Sequence, residues 1–204
     1  MKHIENPNFR AIGSNDFKVT SKTLYELYKM YKEGQIKFAS PWLQRQIQQE
    51  AWTKTNRPAS YLQSMLQGNA KVDTFAFADL DVILKALQKR KNNTTDKVLK
   101  SCYDKLIEEV LFHQKKGALV YCIDGQNRLD LVITPFFDNS LKVSPEFTVN
   151  IMYDIGGPVP LDDLTFKEMP LIVQEHIKKE SVPTVWAREG DLSAIIRTLV
   201  NKNS

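Results

Sequence analysis

The sequence predicts a mixed α/β domain, and three features predict it. Helical and strand patterns alternate along the chain, as expected of a sheet covered by helices. An unbroken apolar run, Leu119 to Ile123, stops at Asp124-Gly125 and gives way to a helical pattern, as where a buried strand turns into a helix. Leu80, Ile83, Leu84 and Leu87 form one helical stripe, and Leu99, Cys102, Leu106, Val110 and Leu111 form another after polar "KRKNNTTD". Two antiparallel helices joined by a polar turn fit these stripes better than strands do.

In chain order, residues 1–18 read as a flexible arm. "TSKTLYELYKMYKEG" follows as a helix, with Leu24, Leu27, Tyr28 and Tyr31 on one face, Thr20 or Ser21 as its start and Gly34 as its stop. "QIKFAS" alternates, pointing Ile36 and Phe38 one way, and reads as a short strand ended by Pro41. "PWLQRQIQQEAWTKTNRP" is irregular and rich in amides; "ASYLQSMLQG" is a helix closed by Gly68. "VDTFAFADL" reads as a strand running into a helix that starts at Asp79. The charged hairpin at 79–116 is read as an insertion, either a solvated one or a basic contact for nucleic acid or a partner protein. Beyond the 117–137 segment, "FTVNIMY" is a strand, "FKEMPLIVQEHIKKE" an amphipathic helix, "VPTVWA" a strand and "DLSAIIRTLVNKNS" a final helix. Residues 138–204 are read as a C-terminal extension, so that 1–204 form a single domain.

Composition narrows the function classes. With 204 residues, 42% hydrophobic and 25% charged, the chain has material for a real core. No apolar run approaches the roughly 20 residues that span a bilayer, and "MKHIENPNFR" lacks the apolar core of a signal peptide. Two cysteines, Cys102 and Cys122, make neither a disulfide framework nor a metal-ligand spacing, so a reducing cytoplasm is expected. The net charge of +4, read as spread along the chain, permits a nucleic-acid partner without requiring one.

The chemistry concentrates at "DGQNR". Leu129, Val132, Ile133 and Phe136 have the spacing of one buried helical face, which puts Asp124, Gly125, Gln126, Asn127 and Arg128 at the helix start. Helix starts leave backbone N–H groups unpaired and carry partial positive charge, so they receive anions. Gly125 lets a phosphate approach the backbone, and Arg128 offers a planar fork for two phosphate oxygens. Asp124 is suited to capping the helix, holding Mg²⁺ or orienting a water. A plain strand–turn–helix junction, with Asp124 as cap and Arg128 on the surface, is the competing account.

"IDGQNRL" resembles the Ile-Asp-Gly-Gln-Gln-Arg-Leu motif of the GmrSD-type restriction endonuclease N-terminal domain family, whose fold belongs to the ParB/sulfiredoxin-like group. The resemblance extends, in the family's order, to "SPWLQR" (Pro41, Gln44, Arg45), Trp52, "YLQSMLQG" (Leu62, Ser64, Leu66, Gly68) and "TFAF". It covers roughly residues 20 to 200. Asn127 departs from the usual glutamine and shortens the amide's reach. The resemblance implies a small mixed sheet with surrounding helices, NTP binding with Mg²⁺, and hydrolysis in a DNA restriction, phage-conflict or DNA-modification system. It implies nucleotide-binding roles for Gly125, Gln126, Arg128, Gln44 and Arg45, and catalytic roles for Asp124, Gln126 and Arg128, with Asp124 as the Mg²⁺ ligand. The base preference stays open, and a Walker-type phosphate loop is absent from the sequence.

Three rival activities are weighed against this. In sulfiredoxin the corresponding turn is Gly-Cys-His-Arg; here Gln126 and Asn127 stand in place of its cysteine and histidine, while Cys122 reads as an inert core thiol. His3, His113 and His176 are scattered and read as surface residues, so a nuclease is expected only in trans. A non-catalytic, nucleotide-switched DNA- or protein-binding module is the serious alternative. Lys54 and Arg57 would then touch a DNA backbone. Of Trp42, Trp52 and Trp186, two are expected in the core, with Trp52 shaping the pocket wall. A bacterial or phage-infected cytoplasm suits either reading.

Overall fold

The computed structural model describes residues 18–38, 54, 57–66, 75–144, 152, 154, 156–157 and 161–187. The described strands are β1 (Lys18–Thr23), β2 (Ile36–Phe38), β3 (Phe75–Asp79), β4 (Val120–Asp124) and β5 (Ser181–Ala187). They form one five-stranded mixed sheet in the order β1-β5-β3-β4-β2. β1 pairs antiparallel with β5, β5 parallel with β3, β3 antiparallel with β4, and β4 parallel with β2. The fold is therefore mixed α/β, as its alternating patterns predict. β5 comes from the C-terminal segment yet occupies an interior place in the sheet.

α1 (Leu24–Lys32) begins at Thr23, later than Thr20 or Ser21. Thr23 and Glu26 form a capping box: Glu26 N donates to Thr23 Oγ1 at 3.1 Å, and Thr23 N donates to Glu26 Oε2 at 2.7 Å. Residues 18–23, expected to be arm and helix start, are instead the edge strand β1. α2 (Arg57–Leu66) places Leu62 in the core.

Residues 80–115 form a helical hairpin. α3 (Leu80–Asn93) and α4 (Lys97–Lys115) run antiparallel, with Gln114 near the end of α4 donating to Asp81 at the start of α3 at 2.7 Å. The turn is shorter than "KRKNNTTD" suggests: α3 continues to Asn93, and Asp96 caps α4 by accepting from Val98 N at 2.8 Å. Because β3 and β4 are antiparallel neighbours, with Asp79 opposite Val120, a tight turn would suffice there. The hairpin takes its place and is closed at the base by Leu80 N donating to Leu119 O at 3.0 Å.

Alternation along β3 and β4 separates two apolar cores. Phe75, Phe77, Val120 and Cys122 face the main core with Leu24, Leu27, Ile36 and Leu62. Ala78 and Tyr121 face the hairpin's Leu80, Ile83, Leu87, Tyr103, Leu106 and Val110. Leu111, expected in the stripe, is exposed, and so is Leu119 at the head of the apolar run.

After β4 comes helix α5, in which α-helical Gln126–Arg128, a π-helical turn Leu129–Ile133 and α-helical Thr134–Phe137 follow without interruption. Leu129, Val132, Ile133 and Phe136 are each 0% exposed, as their spacing predicts. α6 (Leu171–Lys178) starts after Pro170 and is shorter than the pattern from Phe166 suggests. Met152, inside the segment read as a strand, is helical; the rest of "FTVNIMY" and the final helix lie outside the described residues. Among the described residues, no helix is long and apolar enough to cross a membrane.

Candidate functional site at the β4–α5 junction

The junction is built by a register change. Ala76 lies opposite Asp124 but Phe77 lies opposite Cys122, so one step on β3 matches two on β4 and Ile123 is the extra residue. Such a bulge bends its strand and re-aims the side chains that follow. Gln126 Nε2 donates to Ile123 O at 3.3 Å, tying the helix start back to the bulge. The Cys122 thiol lies against the Asp124 carbonyl at 3.2 Å. Burial pushes that thiol's pKa up, with Arg128 drawing it down less strongly and Asp124 reinforcing the rise, so Cys122 is an inert core thiol.

Gly125 sits at φ 100°, a left-handed conformation that side chains disfavour. A Cβ added there would overlap the Phe75 ring. The space that a missing side chain was expected to leave for phosphate is therefore filled by Phe75. Gly125 itself precedes the helix, and Leu129 N donates to its carbonyl at 2.9 Å.

Arg128 is only 7% exposed, which overturns the surface reading of this residue. Its guanidinium carbon lies 4.5 Å from the centroid of Phe75, on the ring face that attracts cations. The N-cap position falls on Gly125, and Asp124 Oδ1 lies 3.8 Å from Arg128 Nη2. Phe75 thus fills the glycine's empty side and braces the arginine.

α1 fixes the helix from outside. Tyr31 Oη donates to Asp130 Oδ1 at 2.5 Å, in the π-helical turn that follows Arg128. Tyr28 Oη donates to Asp138 Oδ1 at 2.6 Å, and Lys32 Nζ reaches Asp138 Oδ2 at 3.0 Å. Donation to Asp138, with some burial, pushes the Tyr28 hydroxyl up to about 12; burial and Asp130 push Tyr31 up further. Wide π-helical turns often accompany functional sites, and this one is clamped near its start, at Asp130, and beyond its far end, at Asp138.

Asp124, Gly125, Gln126 and Arg128 therefore meet at one junction, with Asn127 partly exposed beside them. Gln44, Arg45, Trp42 and Trp52 lie outside the described residues. Lys54 and Arg57 are exposed, the latter in the first turn of α2, which packs on the π-helical turn. Trp186 is half-buried and packs on Phe77, centroids 5.3 Å apart. His113 is not a plain surface residue: its Nδ1 lies 2.6 Å from the Tyr121 hydroxyl, and burial lowers its pKa. His176 is exposed beside Glu180 at 3.3 Å.

The sequence does not mark Phe75, Tyr31 or Asp130 as site residues. Phe75 enters through the β3–β4 pairing and Tyr31 through helix packing, and no local motif records either. Among known proteins, no family model, curated protein or solved structure matches the chain.

Proposed function

We propose that this chain is a nucleoside-triphosphate-binding and hydrolysing regulatory module of a DNA restriction, phage-conflict or DNA-modification system, with the β4–α5 junction as its phosphate site. The observation that carries the reading is the burial of Arg128 beside Asp124, braced on Phe75, at a turn whose sequence resembles a nucleotide-binding motif. Burying a guanidinium costs several kcal/mol of desolvation, which a phosphate at its fork would offset. The 3.8 Å separation from Asp124 exceeds the roughly 2.7–2.9 Å of a charge-assisted hydrogen bond, and the planar guanidinium fork matches two phosphate oxygens.

In this reading Arg128 and the Gln126 amide stabilise charge on the transferring phosphoryl group. The resemblance assigns Gln44 and Arg45, outside the described residues, to the same phosphate grip. Asp124 is a single, partly exposed carboxylate, which suits Mg²⁺ arriving with the triphosphate, because that ion commonly binds through one or two carboxylates plus phosphate oxygens. Bound there, Mg²⁺ would neutralise phosphate charge. Lys54 and Arg57 supply cations for a DNA backbone, and the nuclease is a partner in trans.

The test is phosphate release from each of the four NTPs with Mg²⁺, with and without DNA, beside equilibrium binding. Arg128→Ala should weaken nucleotide binding by about 1.5–3 kcal/mol, the scale of a hydrogen bond to a charged group. A folded Arg128→Ala protein that binds every nucleotide as the parent does makes Arg128 architectural and removes the reading. Binding without turnover assigns the chain to the switch class.

A further inference from the structure

We propose that the distal half of the α3–α4 hairpin is a prong that grips the backbone of duplex nucleic acid. Between residues 85 and 105 stand Lys85, Lys89, Arg90, Lys91, Lys97, Lys100 and Lys105, against Asp96 and Asp104. That stretch carries a net +5 while the whole chain carries +4, so all other residues together come to −1. The basic character is thus concentrated on one projection, contrary to the even spread that composition suggests. Both acids in the stretch are engaged internally. Asp96 caps α4, and Asp104 pairs with Lys91.

Two features of this placement are unfavourable to the hairpin on its own. Lys97 and Lys100 sit in the first turn of α4, where the helix dipole repels positive charge, and the acid at that end, Asp96, is engaged in capping. Lys85 and Lys89 are like charges at i,i+4 spacing. Lys85, Lys89, Lys97, Lys100 and Lys105 are all exposed. A polyanion neutralises all of them at once.

Two further features select the duplex backbone. The one aromatic residue between 85 and 105 is Tyr103, which is buried at 7% exposure, so no ring is offered for stacking single-stranded bases. Asn92, Asn93 and Thr95 at the turn are exposed, uncharged groups of the kind that contact phosphate oxygens. α3 has 14 residues, about 21 Å at the usual helical rise. Its base is held to the sheet by the Leu80–Leu119 backbone bond and stiffened by Ile83, Leu87, Tyr103 and Leu106.

The test measures anisotropy of a labelled random-sequence DNA duplex against the full chain over a salt series, with no nucleotide present. Its outcome is therefore independent of the phosphate site at the junction. The parent's log affinity should fall with log salt at a slope near −4, about −0.9 per neutralised phosphate. The Lys89→Gln, Arg90→Gln, Lys97→Gln, Lys100→Gln variant, folded by circular dichroism, should bind at least about 10-fold more weakly at low salt, with its slope reduced by about 3. A Lys142→Gln, Lys179→Gln control, removing exposed lysines elsewhere, should keep the parent's affinity to within the effect of a peripheral charge. The proposal is overturned if the hairpin variant matches the parent, if the control loses as much, or if single-stranded DNA binds more tightly than duplex.

Discussion

The β4–α5 junction and the tip of the α3–α4 hairpin treat positive charge in opposite ways. At the junction one arginine is 7% exposed, held between an aromatic ring and a carboxylate, with the backbone around it set by a bulge, a left-handed glycine and a π-helical turn. At the tip, lysines stand in water on a regular hairpin. The difference teaches where function constrains structure. A buried cation makes its neighbours interdependent, so the junction should resist change. Solvated cations contribute little to the fold, so the tip should tolerate change with little effect on stability.

The sharpest test of the junction's interdependence is a double-mutant cycle between Phe75 and Gly125. Phe75→Ala should cost about 4 kcal/mol in urea unfolding, the scale for emptying a buried phenylalanine site. Gly125→Ala should cost about 3 kcal/mol, from left-handed strain and overlap with the ring. In the Phe75→Ala background the glycine substitution should cost only about 1 kcal/mol, the strain that remains. Additive costs would mean that ring and glycine are not coupled.

Smaller effects sharpen the contrast. Tyr31→Phe removes the hydrogen bond to Asp130 and should lower stability by about 1.5 kcal/mol while leaving the sheet's circular dichroism unchanged. Lys97→Glu at the hairpin tip should raise thermal stability slightly, by about 0.5 kcal/mol, because it sets a negative charge at a helix start. A loss of stability there would mean that the tip cations are structural, and the contrast between the two regions would break.

The regular elements were legible in the sequence where their patterns are local. The hairpin's stripes, the strand before Asp124 and the face of Leu129, Val132, Ile133 and Phe136 all follow from periodicity, and the π-helical turn did not disturb that face. β1 was not legible, because "KVTSKT" has one large apolar residue and its pairing partner β5 lies more than 150 residues away. The Thr23-x-x-Glu26 capping box was present in the letters but stood behind two earlier start signals, Thr20 and Ser21. At the junction, spacing alone placed Asp124, Gly125, Gln126 and Arg128 where the strand gives way to the helix. It did not reveal that Arg128 is buried, because that depends on Phe75 arriving from another strand.

The central claim is that Arg128 receives a triphosphate. Its most direct test is a crystal structure of the full chain with Mg²⁺ and a non-hydrolysable analogue of whichever nucleotide binds tightest. A phosphate oxygen should lie about 3 Å from the Arg128 guanidinium, the distance of a hydrogen bond. Nucleotide bound elsewhere, with Arg128 still lying between Phe75 and Asp124 and touching no phosphate, would contradict it.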